Sequence, residues 1–142
     1  MSKHELSSID REFRAAFEAG ALAPADFSHR AHVRLGYVYL AGSDVDTATE
    51  RMRTALVAFL AHHGIPAAKY HETLTRAWIL AVHHFMHRTP EAASADDFID
   101  RNPLLLDTKI MLTHYSAALL FSDAARARFI EPDLDPIPRH AA

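Results

Sequence analysis

Two short runs of this sequence bring imidazoles and hydroxyls together: His29-x-x-His32, and Lys69-Tyr70-His71-Glu72-Thr73-Leu74-Thr75. Three residues apart on a helix, His29 and His32 lie on one face and reach the same ion or ligand. If His71 approaches them, three neutral imidazoles can hold a divalent ion such as Zn, Fe or Ni. An open position then remains for water or substrate, as in a catalytic rather than a closed structural site, and hydrolytic or lyase-like chemistry follows. The same geometry has a version without metal. Helix N-termini are partially positive, so Arg34, Lys69 and a protonated imidazole can receive a carboxylate or phosphate there. Tyr70, Thr75 and Trp78 join this ligand-facing set, and Lys69 and Glu72 are the minor catalytic candidates, Glu72 as base or fourth ligand.

Each of these residues also has a structural reading. His29 caps a loop, His32 is a satisfied core side chain, the threonines bond to carbonyls one turn earlier, Trp78 packs, and Glu72 faces water. On that reading the protein is a non-enzymatic binding or dimerisation module with a hydrogen-bonded histidine core, and its apolar helices pair with a second copy. The remaining histidines point the same way. His62 and His63, and again His83, His84 and His87, end predicted helices where cationic side chains oppose the dipole, so solvated termini explain them. Asp107 and His114 share a side of a later helix and pair with a neighbour or complete a site.

The elements that must position these groups are helical throughout. Gly and Pro punctuate the chain, no stretch alternates as a strand does, and no fixed-period repeat occurs. A first helix is expected from Leu6 to Ala19, with Leu6, Ile9, Phe13 and Phe17 inward, Asp10, Arg11, Arg14 and Glu18 solvated, and Gly20 as cap. A second, capped by Asp26 or Ser28, continues through Leu40, with Arg30, Arg34 and Tyr37 as its wet stripe and Gly36 for a close helix approach. The third spans Asp46 to His62, ending at Gly64, and the fourth Ala67 to His87, with His71, Leu74, Thr75, Trp78, Val82 and Phe85 inward. Ser94 opens a short fifth, Leu104 to Tyr115 forms a sixth, and Ser122 to Phe129 a last one. Three prolines between Pro132 and Pro138 bar a helix, leaving the tail extended over the surface or loose.

The expected fold is therefore all-α: an irregular bundle of five to seven helices in one domain, residues 1–130, followed by an extended tail, residues 131–142. With the third helix as a return segment, the second and fourth run parallel and their first turns can meet. An antiparallel pair would separate the histidines.

The chain of 142 residues suffices for one ordinary core. It has no Cys, which excludes a disulfide framework or thiol nucleophile and makes a cytoplasmic protein the default. No apolar run approaches the ~20 residues of a membrane span, and the amino terminus lacks a signal-peptide pattern. Fifteen Lys and Arg against 18 Asp and Glu, with the basic residues scattered, disfavour nucleic acid as a partner. Eleven histidines are the compositional anomaly, and near pH 6.5 they shift the net charge toward positive.

Phe27-x-His29-x-x-His32-x-Arg34-Leu35 and Lys69-Tyr70-His71-Glu72-Thr73-x-Thr75-x-Ala77-Trp78 resemble the pattern of a family of small bacterial helical proteins, uncharacterised in activity. Asn102-Pro103-x-Leu105-Leu106-Asp107 and Ala125-Arg126-x-x-Phe129-Ile130-x-Pro132-Asp133 extend the likeness from about Phe27 to Asp133. The resemblance implies no substrate or cofactor. It implies an acid at the position of Ala31, so any ligand or base from that position is missing here.

Overall fold

The computed structural model describes residues 3–140. Among them the regular structure is helical, in five helices of seven residues or more and three of a single turn: α1 Ser8–Glu18, α2 His29–Ala41, α3 Val45–His62, α4 Glu72–Arg88, α5 Ala95–Arg101, α6 Met111–His114, α7 Ala117–Leu120 and α8 Asp123–Ala127. The one β-type contact there is an isolated bridge between His4 and Ala92. No described helix is long and apolar enough to cross a membrane.

Local chemistry sets the boundaries. The hydroxyls of Ser28, Ser94 and Ser122 accept backbone N–H groups at the starts of α2, α5 and α8, filling donors that a helix cannot satisfy internally. Gly20 and Gly64 follow α1 and α3 at φ 72° and 67°, the left-handed conformation that stops a helix. Gly20 is doubly constrained, since a Cβ there would fall 2.6 Å from the His62 ring. At Gly36 a Cβ would meet nothing closer than 3.6 Å, so the α2–α4 approach is an ordinary one.

The expected sixth helix is broken. The Asp107 carboxylate accepts the Lys109 N–H at 2.9 Å, and this local turn splits the segment into 3-10 turns, Pro103–Leu106 and Thr108–Ile110, ahead of α6. The fourth helix also starts later than its apolar period suggests. Ala67–Lys69 forms a separate 3-10 turn, and His71 is the N-cap of α4 rather than a residue of its first turn.

Helices α2 and α4 form the centre. From Leu35 to Leu40 every α2 residue is buried, because α1, α3, α4 and α5 all pack on it. This overturns the expected wet stripe: Tyr37 is 0% exposed and its hydroxyl donates to the Glu5 carbonyl at 2.8 Å. Rings of Phe17, Phe27 and Phe59 stack 4.7–5.5 Å apart where α1, α3 and the start of α2 meet.

Asp10, expected in solvent, is also 0% exposed. One oxygen, Oδ2, accepts the N–H of Ser7, closing a capping box on α1, and the N–H of Ala95 at the start of α5. Oδ1 accepts from Arg34 of α2 at 2.8 Å, and Arg34 reaches on to Asp96. One carboxylate thereby fixes three helices.

The tail is extended but not loose. Ile137 is buried, Asp133 accepts from the N–H and hydroxyl of Ser116, and the Leu134 N–H donates to the His114 carbonyl.

Candidate functional site

The first turn of α2 and the start of α4 do meet. A cavity of about 320 Å³ lies between them and α3, lined by Phe27, His29 and His32 from one side, Lys69, Tyr70, His71, Leu74, Thr75 and Trp78 from the other, and Leu56, Phe59 and Leu60 from α3. The His29 ring sits edge-on to Trp78, 4.6 Å between centroids, and the His32 ring is 5.8 Å from Phe27. Sequence reasoning missed the α3 contribution. Its only signal was the apolar face of an amphipathic helix, which does not distinguish a cavity wall from plain core.

The hydrogen bonds decide what each imidazole can do. His71 is 7% exposed; its Nδ1 accepts the Leu74 N–H at 3.1 Å, and its Nε2–H donates to the Leu120 carbonyl at 2.7 Å. Both nitrogens are spent on structure, and burial lowers the pKa of the ring. His29 donates Nε2–H to the Leu105 carbonyl at 2.9 Å and keeps Nδ1. The His32 ring makes no hydrogen bond among the described residues. Burial, with a smaller contribution from His29, pushes its pKa down to about 4, so near neutral pH it offers one donor and one acceptor.

A single ion shared by His29, His32 and His71 therefore does not fit this arrangement, because the lone pair of His71 already serves the α4 cap. Among the described residues no group of three or more His, Cys, Asp or Glu side chains is placed to hold a metal ion.

The other candidates divide in the same way. Arg34 is not at the cavity; it is consumed by Asp10 and Asp96. Glu72 is not in solvent either. It is gripped by Arg53 through two bonds of 2.8 and 2.5 Å and by the Tyr70 hydroxyl at 2.6 Å, and Arg53 above all holds its carboxyl below the usual range. No free base is left there. The Thr75 hydroxyl donates one turn back to His71, as expected, but Thr73 bonds to Arg128 and Ile130, 55 and 57 residues away. Much of the Lys69–Thr75 run thus serves to dock the last third of the chain on α4. Lys69 is exposed at the cavity, with no ion pair among the described residues.

His32 has a measurable signature. Above pH ~6.5 both folded and unfolded states hold it neutral; below that the unfolded chain takes the proton first. Stability is therefore expected to fall by up to about 3 kcal/mol between pH 6.5 and 4 through this residue. Urea unfolding of the His32→Leu variant checks it: the slope must flatten relative to the parent, and an unchanged pH profile would contradict the burial of the ring.

Fold and site together define an all-α irregular bundle with an imidazole- and aromatic-lined cavity between its two central helices. The chain matches no protein-family model, no curated protein and no solved structure.

Proposed function

We propose that the cavity between α2, α3 and α4 binds a small organic anion with a flat apolar body. The observation that carries this reading is His32, a neutral imidazole lining the cavity with no protein partner for either nitrogen among the described residues. Polar groups inside a fold are normally satisfied; the nitrogens of the half-buried His32 stay open to the cavity and are available to a ligand. The walls of Phe27, Phe59, Trp78, Leu56 and Leu60 suit an aromatic or short aliphatic body, and Lys69 supplies a cation. The proposed activity is binding. Hydrolytic or lyase-like chemistry would need a base, and the candidate carboxylate, Glu72, is held by Arg53 and Tyr70.

Trp78 is the sole tryptophan and lines the cavity, so its fluorescence reads occupancy directly. Titration of protein prepared without a His tag is expected to give saturable quenching by benzoate and about fivefold weaker binding of benzyl alcohol, the difference vanishing in Lys69→Ala. Loss of both in His32→Leu supports the reading. No response to either compound, or equal response in all variants, refutes it. Stoichiometric metal that disappears in His29→Ala would replace it with a metal site.

A further inference from the structure

The last two turns of α4 carry His83, His84 and His87, and the tail brings His140 onto them. We propose that residues 136–140 form a pH-sensitive strap, held against α4 by His140 while these imidazoles are mostly neutral and released when a second one is protonated. This is independent of the α2–α4 cavity and its ligand.

The geometry is specific. His84 Nδ1 and His140 Nε2 are 2.7 Å apart, a hydrogen bond in which one nitrogen carries the proton and the other a lone pair. A neutral pair or a singly protonated pair keeps that bond; two protons abolish it and set two cations face to face. The His140 ring also stacks on His87 at 3.9 Å and 12°, and lies 6.2 Å from His83. With His140 charged, a second proton on His84 or His87 sets two cationic rings 5.0 or 3.9 Å apart.

The surroundings do not neutralise it. Facing the cluster are Arg88 on α4, His4 from the amino-terminal segment, His114 from α6 and Arg139 on the tail, the last paired with the exposed Glu131 at 2.8 Å, a solvent-screened bond that adds little to docking. On the far side of an adjoining cavity of about 320 Å³ stand Asp44 and Asp46. Both acids are committed: Asp44 caps α3 through the Thr47 N–H, and Asp46 pairs with Arg76 at 2.8 Å. The dipole of α4 favours positive charge at its end, which accommodates the first proton but not the repulsion of a second. In agreement, burial and then His140 lower the pKa of both His83 and His84.

Release is confined to residues 136–140. The bonds upstream, Ser116 to Asp133, the Leu134 and Asp135 N–H groups to the carbonyls of His114 and Thr113, and His114 Nδ1–H to the Asp135 carbonyl at 2.7 Å, all keep their donors when an imidazole gains a proton. Undocking would lift Ile137 from the core and open the cavity beside Leu80 and His83.

Backbone 15N relaxation of the full chain, in buffer with EDTA, tests this. At pH 7.5 Ile137, Arg139 and His140 are expected to be as rigid as α4. As pH falls below the midpoint of release, the ratio of docked to released strap drops about tenfold per pH unit, while α1–α5 stay ordered. His140→Phe, which stacks but cannot be protonated, remains docked at pH 5.5, and His140→Ala is loose throughout. A strap still rigid at pH 5.5, or a His140→Phe variant that loosens with the same midpoint as the parent, overturns the proposal, whether or not the rest of the chain changes over that range.

Discussion

Asp10→Ala is expected to lower the unfolding free energy by about 3–5 kcal/mol, the largest effect of any single surface-to-core polar change in this protein. Its carboxylate is wholly buried and accepts three hydrogen bonds, from Ser7, Ala95 and Arg34. Truncation strands the N–H of Ala95 at the start of α5 and removes a fully buried countercharge of Arg34, whose side chain is 14% exposed. Arg34 retains Asp96, which is 44% exposed and already shared with Arg30, so that pair compensates only in part. For a domain of this size the loss corresponds to a fall of about 10–15 °C in Tm. Asp10→Asn keeps the shape and one acceptor oxygen, and about half the loss is expected. Urea unfolding at pH 7 decides the matter. Equal, small effects of both variants would mean that the carboxylate does not join α1, α2 and α5.

The second large effect belongs to His71, as a structural residue rather than a ligand. Alanine there removes the cap that receives the Leu74 N–H, worth about 1 kcal/mol, and leaves the buried Leu120 carbonyl without a donor, about 1–3 kcal/mol more. The combined loss is about 2–4 kcal/mol. His71→Asn restores the cap but cannot span to Leu120, so it separates the contributions and is expected to recover about 1 kcal/mol. Hydrogen exchange supplies an independent readout: residues 116–130 exchange faster in both variants, whereas the start of α4 frays only in His71→Ala. A metal-ligand role would instead give variants whose stability depends on added metal. The two outcomes do not overlap.

Most helices were legible because their determinants are local. Apolar residues at intervals of three and four give α1, α3 and α4, Ser7 and Asp44 give the starts of α1 and α3, and Gly20 and Gly64 give their stops. Even the buried Asp10 left a trace, since Ser7-x-x-Asp10 has the spacing of a capping box. What periodicity cannot report is how many sides of a helix are covered. A wheel assigned Arg34 and Tyr37 to solvent, yet α2 is enclosed by four helices. Nor does a local pattern show that Asp107 prefers a turn with Lys109 over continuing a helix.

For the candidate site, residue types and spacing singled out nine residues, of which His29, His32, Lys69, Tyr70, His71, Thr75 and Trp78 line one cavity, while Arg34 and Glu72 are held in ion pairs outside its lining. By itself the sequence determined that these polar groups sit at the start of two apolar helices, because helix phase and capping are properties of neighbours along the chain. Only the tertiary structure decided their roles. His71, Thr73, Asp10 and His84 each have a partner 49 to 85 residues away. An imidazole's two nitrogens accept or donate according to the groups that folding happens to bring within 3 Å, and no spacing in the sequence encodes that distance.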